Sequence, residues 1–148
     1  MYRGSYDAKV TDGRLKLPSD FEKLAMASNV NQFFVTSADG KSAEIWPLPE
    51  WEKRESRLVE YSTLDEAVQK YLRLTGSYGL QVEMDKQARI TLPKILRGTA
   101  ALEGEVKVIG NLSYMEVMNS ELFQQTLSSD AMTKEERNKV ATILGPSR

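Results

Sequence analysis

The side chains with recognition chemistry to offer are concentrated in two short stretches. These are VTDGRLKLPSDF, from Val10 to Phe21, and DKQARITLPKIL, from Asp85 to Leu96. A guanidinium is a planar fork of donors that fits a carboxylate or the O6/N7 edge of guanine through two parallel bonds, whereas a lysine ammonium supplies point charge to a phosphate. Asp85 stands four residues before Arg89, close enough around a tight loop to clamp it by an ion pair. Arg89 therefore has two roles open, a structural clamp or a contact with DNA. Val10 takes the corresponding place before Arg14. With no such partner, Arg14 reads as a DNA contact. Lys9, Lys16 and Lys86 flank the arginines and either touch phosphate or stay solvated; Arg3 adds a further cation upstream.

Other chemistry is thin. The 148 residues include no His and no Cys. That removes the commonest general base, the commonest zinc ligands, disulfides and every Ser-His-Asp or Cys-His arrangement. No glycine-rich phosphate loop is present. The acids are scattered among Lys and Arg, as on a solvated surface, so the chain does not read as an enzyme and no cofactor or small-molecule substrate is expected. Hydrophobic residues at 41% and charged residues at 28% fit a globular chain. No apolar run approaches the length of a membrane span, and MYRGSYDAKV has no apolar signal core, so a cytoplasmic location is the expectation. A net charge of −1 weighs mildly against nucleic-acid binding, yet charge on one face is what counts. Residues 1–24 carry five cations against four acids, and residues 83–97 carry four against two, so the two stretches are the least acidic parts of the chain.

The elements that position these residues follow a repeat. With Arg14 set on Arg89, Leu15 falls on Ile90, Lys16 on Thr91, Leu17 on Leu92, Pro18 on Pro93 and Phe21 on Leu96. Each segment alternates apolar and polar like a half-buried strand, then stops at a proline that suits a helix start. The short helical stretches SDFEKLAMAS and KILRGTAAL follow. Further on, QFFVTSADGKSAEIWPL and EVKVIGNLSYMEVMN each read as strand, turn, strand, with turns at Asp39-Gly40 and Gly110-Asn111. Glu44-Ile45-Trp46 then matches Glu116-Val117-Met118. Each half is thus strand, strand, short helix, strand, turn, strand, the mark of an internal duplication. Neither half alone offers a convincing core, so the two are expected to pair into one barrel-like or sandwich-like unit about an approximate two-fold axis, superposing across roughly Gly76.

Helices trail the halves. PEWEKRESRLVEYS is one, and Trp51 in it reads as a buried anchor rather than a ligand-stacking residue. STLDEAVQKYLRLTGS is the next, with Ser62 or Thr63 as N-cap and Gly76-Ser77 closing it. NSELFQQTLSS starts at Asn119 or Ser120, and the tail holds a capping box from Thr133 to Glu136 and a Gly145-Pro146 stop. The expected units are residues 1–62, a connecting helix at 63–76, residues 77–128, and a tail, mobile or docked, at 129–148.

In its YRGSYDAKV, GRLKLP, PLPEWEK and DKQARITLPKILR segments, taken in order, the chain resembles the MraZ family of tandem AbrB-like (SpoVT-AbrB) repeats. The resemblance implies an α+β fold in which two β-rich repeats form one pseudo-two-fold barrel-like core with peripheral helices. It also implies a nucleoid-associated transcriptional regulator, a repressor at short direct repeats of double-stranded DNA upstream of the division and cell-wall gene cluster, and a ring-like homo-oligomer. The repeat signature, Asp, three residues, Arg, is kept by Asp85 and Arg89. The first repeat departs from it with Val10 in place of Asp and Asp12 where Lys is common, and the second has Ala88 where Gly is usual. The alternative is a ring-forming protein-interaction module that regulates a partner enzyme with little DNA binding.

Overall fold

The computed structural model describes residues 1–61 and 63–146. The first repeat runs β1 (Ser5–Thr11), β2 (Arg14–Lys16), α1 (Ser19–Ala27), β3 (Gln32–Thr36) and β4 (Ala43–Pro47). Two helices follow, α2 (Leu48–Val59) and α3 (Glu66–Tyr78). The second repeat copies the plan with β5 (Leu80–Glu83), β6 (Arg89–Thr91), α4 (Lys94–Thr99), β7 (Gly104–Gly110) and β8 (Met115–Asn119). It ends in α5 (Ser120–Ser129) and α6 (Lys134–Leu144).

The eight strands form one antiparallel sheet in the order β5-β3-β4-β8-β7-β1-β2-β6, curled so that its edge strands β5 and β6 lie side by side. Exchanging β1 with β5, β2 with β6, β3 with β7 and β4 with β8 returns the same cyclic order read backwards. The sheet therefore has the expected two-fold pseudosymmetry, and the repeats interleave: β1 pairs with β7, β3 with β5, β2 with β6 and β4 with β8. The axis leaves two fingerprints in the register. Leu15 faces Ile90 on the β2–β6 ladder, and Glu44 faces Glu116 on the β4–β8 ladder. In both cases residues matched by the repeat face each other.

The core is built from inward positions of both repeats. Leu15, Ile90, Phe21, Leu96, Phe33, Val35, Ile45, Val106, Val108, Met115 and Val117 are all within 1% of full burial. Pro18 and Pro93 sit one position earlier than the first helical turn, at the N-caps of α1 and α4. Their carbonyls accept the amides of Phe21 and Glu22, and of Leu96 and Arg97, at 2.9–3.1 Å. Proline suits this place because its fixed φ starts the helix while its missing N–H ends the strand ladder.

The helix ends show which capping signals win. The Asp65 carboxylate caps α3, accepting from Ala67 N at 2.8 Å and Val68 N at 3.3 Å, so Thr63 is not the cap. Ser62, the other expected cap, lies outside the described residues. A carboxylate at the positive helix end gains from the dipole where a hydroxyl does not. Helix α3 also runs through Gly76 and Ser77 to Tyr78 rather than stopping there. Thr75 just before them is buried, and its carbonyl accepts from Thr36 Oγ1 at 2.6 Å, which ties this turn to the sheet. Asn119, not Ser120, caps α5, and the Thr133–Glu136 capping box of α6 forms as expected. Within the tail, Lys134–Leu144 is helical, and the described residues from 129 to 146 are all exposed.

Trp51 is 4% exposed, as its reading as an anchor requires; it stacks on Phe34 at 4.8 Å and leans on Trp46 at 5.6 Å. Arg54 lies 4.7 Å above the Trp46 ring, which also stacks with Tyr114 at 4.2 Å, and Arg54 donates to Tyr71 Oη at 2.7 Å. This cation in an aromatic nest joins α2 and α3 to the outer face of the sheet. Beneath it, burial pushes the Glu44 carboxyl above its ordinary range, and nearby Glu116 adds to the effect. The hydrogen bond from Trp46 Nε1 at 2.8 Å and the charge of Arg54 oppose the rise without cancelling it.

Two measurements probe the axis at its two ends. Leu15→Ala should lower unfolding free energy in urea by about 2–5 kcal/mol, the range for removing a buried leucine side chain. A raised carboxyl pKa means that ionised Glu44 opposes folding at neutral pH and that this penalty fades as pH falls toward the ordinary glutamate value of about 4.3. Glu44→Gln should therefore raise the melting temperature at neutral pH, and its advantage over the parent should shrink on acidification.

Candidate nucleic-acid interface

The β1–β2 connection is a two-residue hairpin. Thr11 pairs with Arg14, and both Asp12 (φ 52°) and Gly13 (φ 74°) lie in the left-handed region, the geometry of a type I′ turn. Asp-Gly is a favoured pair for that turn, a signal overlooked when Asp12 is read only as a lost positive charge. The equivalent turn in the second repeat is built differently. The Asp85 carboxylate accepts from Gln87 N at 2.8 Å and Arg89 N at 2.9 Å through one oxygen, and from Arg89 Nε at 2.9 Å through the other. Backbone bonds from Asp85 N to Arg89 O and from Ala88 N to Asp85 O, both 3.0 Å, complete the loop. Ala88, at the place equivalent to Gly13, takes φ 60° with its side chain buried.

The two turns are locked to each other. Leu17 N donates to Ala88 O and Leu92 N donates to Gly13 O, each at 2.9 Å. Each repeat's turn thus holds the leucine that precedes the other repeat's proline. This sets the turns side by side on the ribbon formed by β2 and β6.

On that ribbon the side-chain period of two turns Leu15 and Ile90 inward and Arg14, Lys16, Arg89 and Thr91 outward. Lys16 and Arg89 are direct cross-strand neighbours, a like-charge pairing that is unfavourable unless something compensates. Asp85 compensates. It bonds Arg89, and its Oδ2 also lies 4.0 Å from Arg14 Nη1. Arg14 therefore does have an acidic partner, supplied by the other repeat rather than by its own, a pairing that sequence spacing within one repeat does not reveal. Lys16 Nζ rests 3.4 Å from the Gln87 carbonyl. Two arginines share one carboxylate with Lys16 beside them, and the side chains of Arg14 and Arg89 remain 45% and 38% exposed.

The remaining residues divide. Continuing the β1–β2 ladder one step beyond Val10 and Leu15 sets Lys9 beside Lys16, extending the cationic row, although Lys9 also faces Glu105 on β7. Lys86 is exposed on the second turn. Arg3 stands at the far end of β1, beyond Ser5 and next to the Tyr2–Leu112 bridge, and does not join the cluster.

The Asp85 carboxyl is held below its ordinary range, first by the Arg89 amide, then by the Gln87 amide and the Arg89 side chain, against an opposing desolvation. Among the described residues no helix is long and apolar enough to cross a membrane.

Fold and ribbon together define a class: a duplicated, interleaved β-barrel that carries one cationic two-stranded ribbon at its pseudo-two-fold axis. The family described as "MraZ protein, putative antitoxin-like" matches residues 79–142. The chain is 45% identical to "Transcriptional regulator MraZ" of Acidobacterium capsulatum over 142 residues, covering 95% of this chain and 97% of that protein. It is 39% identical to the protein of the same name from Koribacter versatilis over 145 residues, covering 97% and 99%. A third relative so named, from Azotobacter vinelandii, is 31% identical over 135 residues. The chain belongs to the MraZ family.

A carboxyl whose pKa is depressed on folding stabilises the fold above its unfolded value of about 3.9, and that support is lost as pH falls through the lower folded value. Asp85→Ala should therefore melt at a lower temperature than the parent at neutral pH. The difference between the two should close as the solution is acidified through that range.

Proposed function

We propose that this chain is a sequence-specific DNA-binding transcriptional regulator. In this reading it is a repressor in the cytoplasm, at the nucleoid, and acts on short direct repeats upstream of the division and cell-wall gene cluster. The names of its relatives support the regulatory part of the reading. The observation that carries the DNA part is the outward cluster of Arg14, Lys16 and Arg89, in which both arginines pair with the single carboxylate of Asp85.

The major groove is wide enough to admit a two-stranded β-ribbon. Arg14 and Arg89 are tethered through Asp85 and keep part of each guanidinium free, so a guanine edge finds a pre-oriented fork rather than a mobile chain. Lys16 and Lys86 supply charge for phosphates on either side. One such ribbon carries little net charge. Several copies in a ring would meet successive DNA repeats and gain affinity through effective concentration. The exposed Leu127, Ile143 and Leu144 supply apolar surface for contact between copies.

Arg14→Ala should weaken binding to the DNA upstream of the protein's own gene by about 1–3 kcal/mol and reduce discrimination against scrambled DNA. Lys16→Ala should weaken both DNAs alike and make the salt dependence shallower by about one unit. Fluorescence anisotropy across a salt series measures both. A folded Arg14→Ala protein that binds as tightly as the parent would sink the reading in favour of a protein-interaction module.

A further inference from the structure

The pseudosymmetry exposes one residue whose role the family reading leaves open. Arg97 of α4 and Glu22 of α1 occupy equivalent places, as do Gly13 and Ala88. The Arg97 guanidinium lies flat against Gly13. A β-carbon built there would fall 2.7 Å from Cζ and 3.1 Å from Nε of Arg97, and closer still to Nη1. Glycine suits this turn for its φ of 74°, and its lack of a β-carbon leaves room for the guanidinium that covers it. The symmetry-related positions are Ala88 in the second turn and Glu22 on α1, an alanine and an acid, so that arrangement occurs once.

The arrangement is also electrostatically expensive. Arg97 Nε is the only buried side-chain nitrogen or oxygen among the described residues without a hydrogen-bond partner. Its Nη1 has only a loose ion pair with Glu103, at 3.9 Å. A buried donor with no acceptor carries a desolvation penalty that a shorter apolar residue would avoid. The bound position of Arg97 thus has to be held by packing, and the packing partner is the hairpin tip that precedes Arg14.

We propose that Arg97 is a positioning residue. Its guanidinium plane braces the Asp12–Gly13 hairpin from the helix side and so fixes the angle at which Arg14 leaves the ribbon. The inference rests on the DNA-binding reading above. The brace acts on the first turn only; the second is held by the Asp85 carboxylate instead.

The test compares Arg97→Ala, Arg97→Lys and, as the equivalent site in the other repeat, Glu22→Ala. Anisotropy against promoter and scrambled DNA, over a salt series and well below each melting temperature, is the first readout. The Arg97→Ala protein should lose roughly tenfold in promoter-over-scrambled discrimination, the scale of one spoiled base contact, with an unchanged salt slope. Lysine keeps the charge but not the plane, so Arg97→Lys should not restore discrimination, and Glu22→Ala should keep it. Hydrogen exchange at the Leu92 amide, which donates to Gly13 O, should quicken in both Arg97 variants. Full discrimination in Arg97→Ala, or restoration by lysine, overturns the proposal. So does a slope shallower by about one unit in Arg97→Ala alone, which would mark a direct phosphate contact. If the parent itself fails to prefer promoter DNA, the functional reading falls, and Leu92 exchange still decides the brace: unchanged exchange removes it as well.

Discussion

Leu15 and Ile90 meet across the β2–β6 ladder with neither side chain exposed, and the architecture turns on that contact. Each sits on a three-residue strand that has no stability of its own. Burying two such side chains contributes about 1.5–3 kcal/mol each, but only when the other repeat is present to complete the burial. The same dependence recurs at β1–β7, β3–β5 and β4–β8, so every strand of one repeat has a ladder partner in the other. Because the inward pair lies on the axis, the period of two sends Arg14, Lys16, Arg89 and Thr91 outward together. The core contact thus sets the polar ribbon.

Duplication supplies two turns, and sequence drift has made them chemically unlike. The first is a backbone-driven hairpin that needs left-handed residues at Asp12 and Gly13. The second is closed by a carboxylate that gathers two amides and a guanidinium. Only the second keeps an acid at the signature position, since Val10 in the first is a core residue with 3% exposure. That one acid then serves both arginines. The result is a positive surface with enough internal compensation to fold, in place of three cations repelling one another across a ladder.

The opposite end of the axis shows what the same geometry does with acids. Glu44 and Glu116 face each other there, half-buried under α2 and α3, and are relieved by Trp46, Ser42 and Arg54 rather than by solvent. Helices trailing the first repeat pack at this end, while at the ribbon end the side chains of Arg14 and Arg89 remain partly exposed. The two ends of one symmetry element are therefore an aromatic, helix-bearing face and a cationic, accessible one.

Much of this was legible in the chain itself. The matched GRLKLP and ARITLP segments, the prolines that end both strands, the Glu44–Glu116 correspondence and the two-fold pairing of the halves follow from periodicity and spacing, because strand alternation and proline chemistry are local properties. Asp65 as the α3 cap and Asn119 over Ser120 were settled by competition among neighbouring groups for the same amides, whereas α3 continues through Gly76 where buried Thr75 ties its last turn to the sheet. The Arg14–Asp85 pairing, the exclusion of Arg3 from the ribbon and the Arg97 guanidinium lying on Gly13 were decided by tertiary structure alone. Each joins or separates residues according to how the two repeats interlock across the axis. The order of residues along a chain determines which strands form, but contacts between strands and helices from different repeats exist only once both repeats are folded around the shared core.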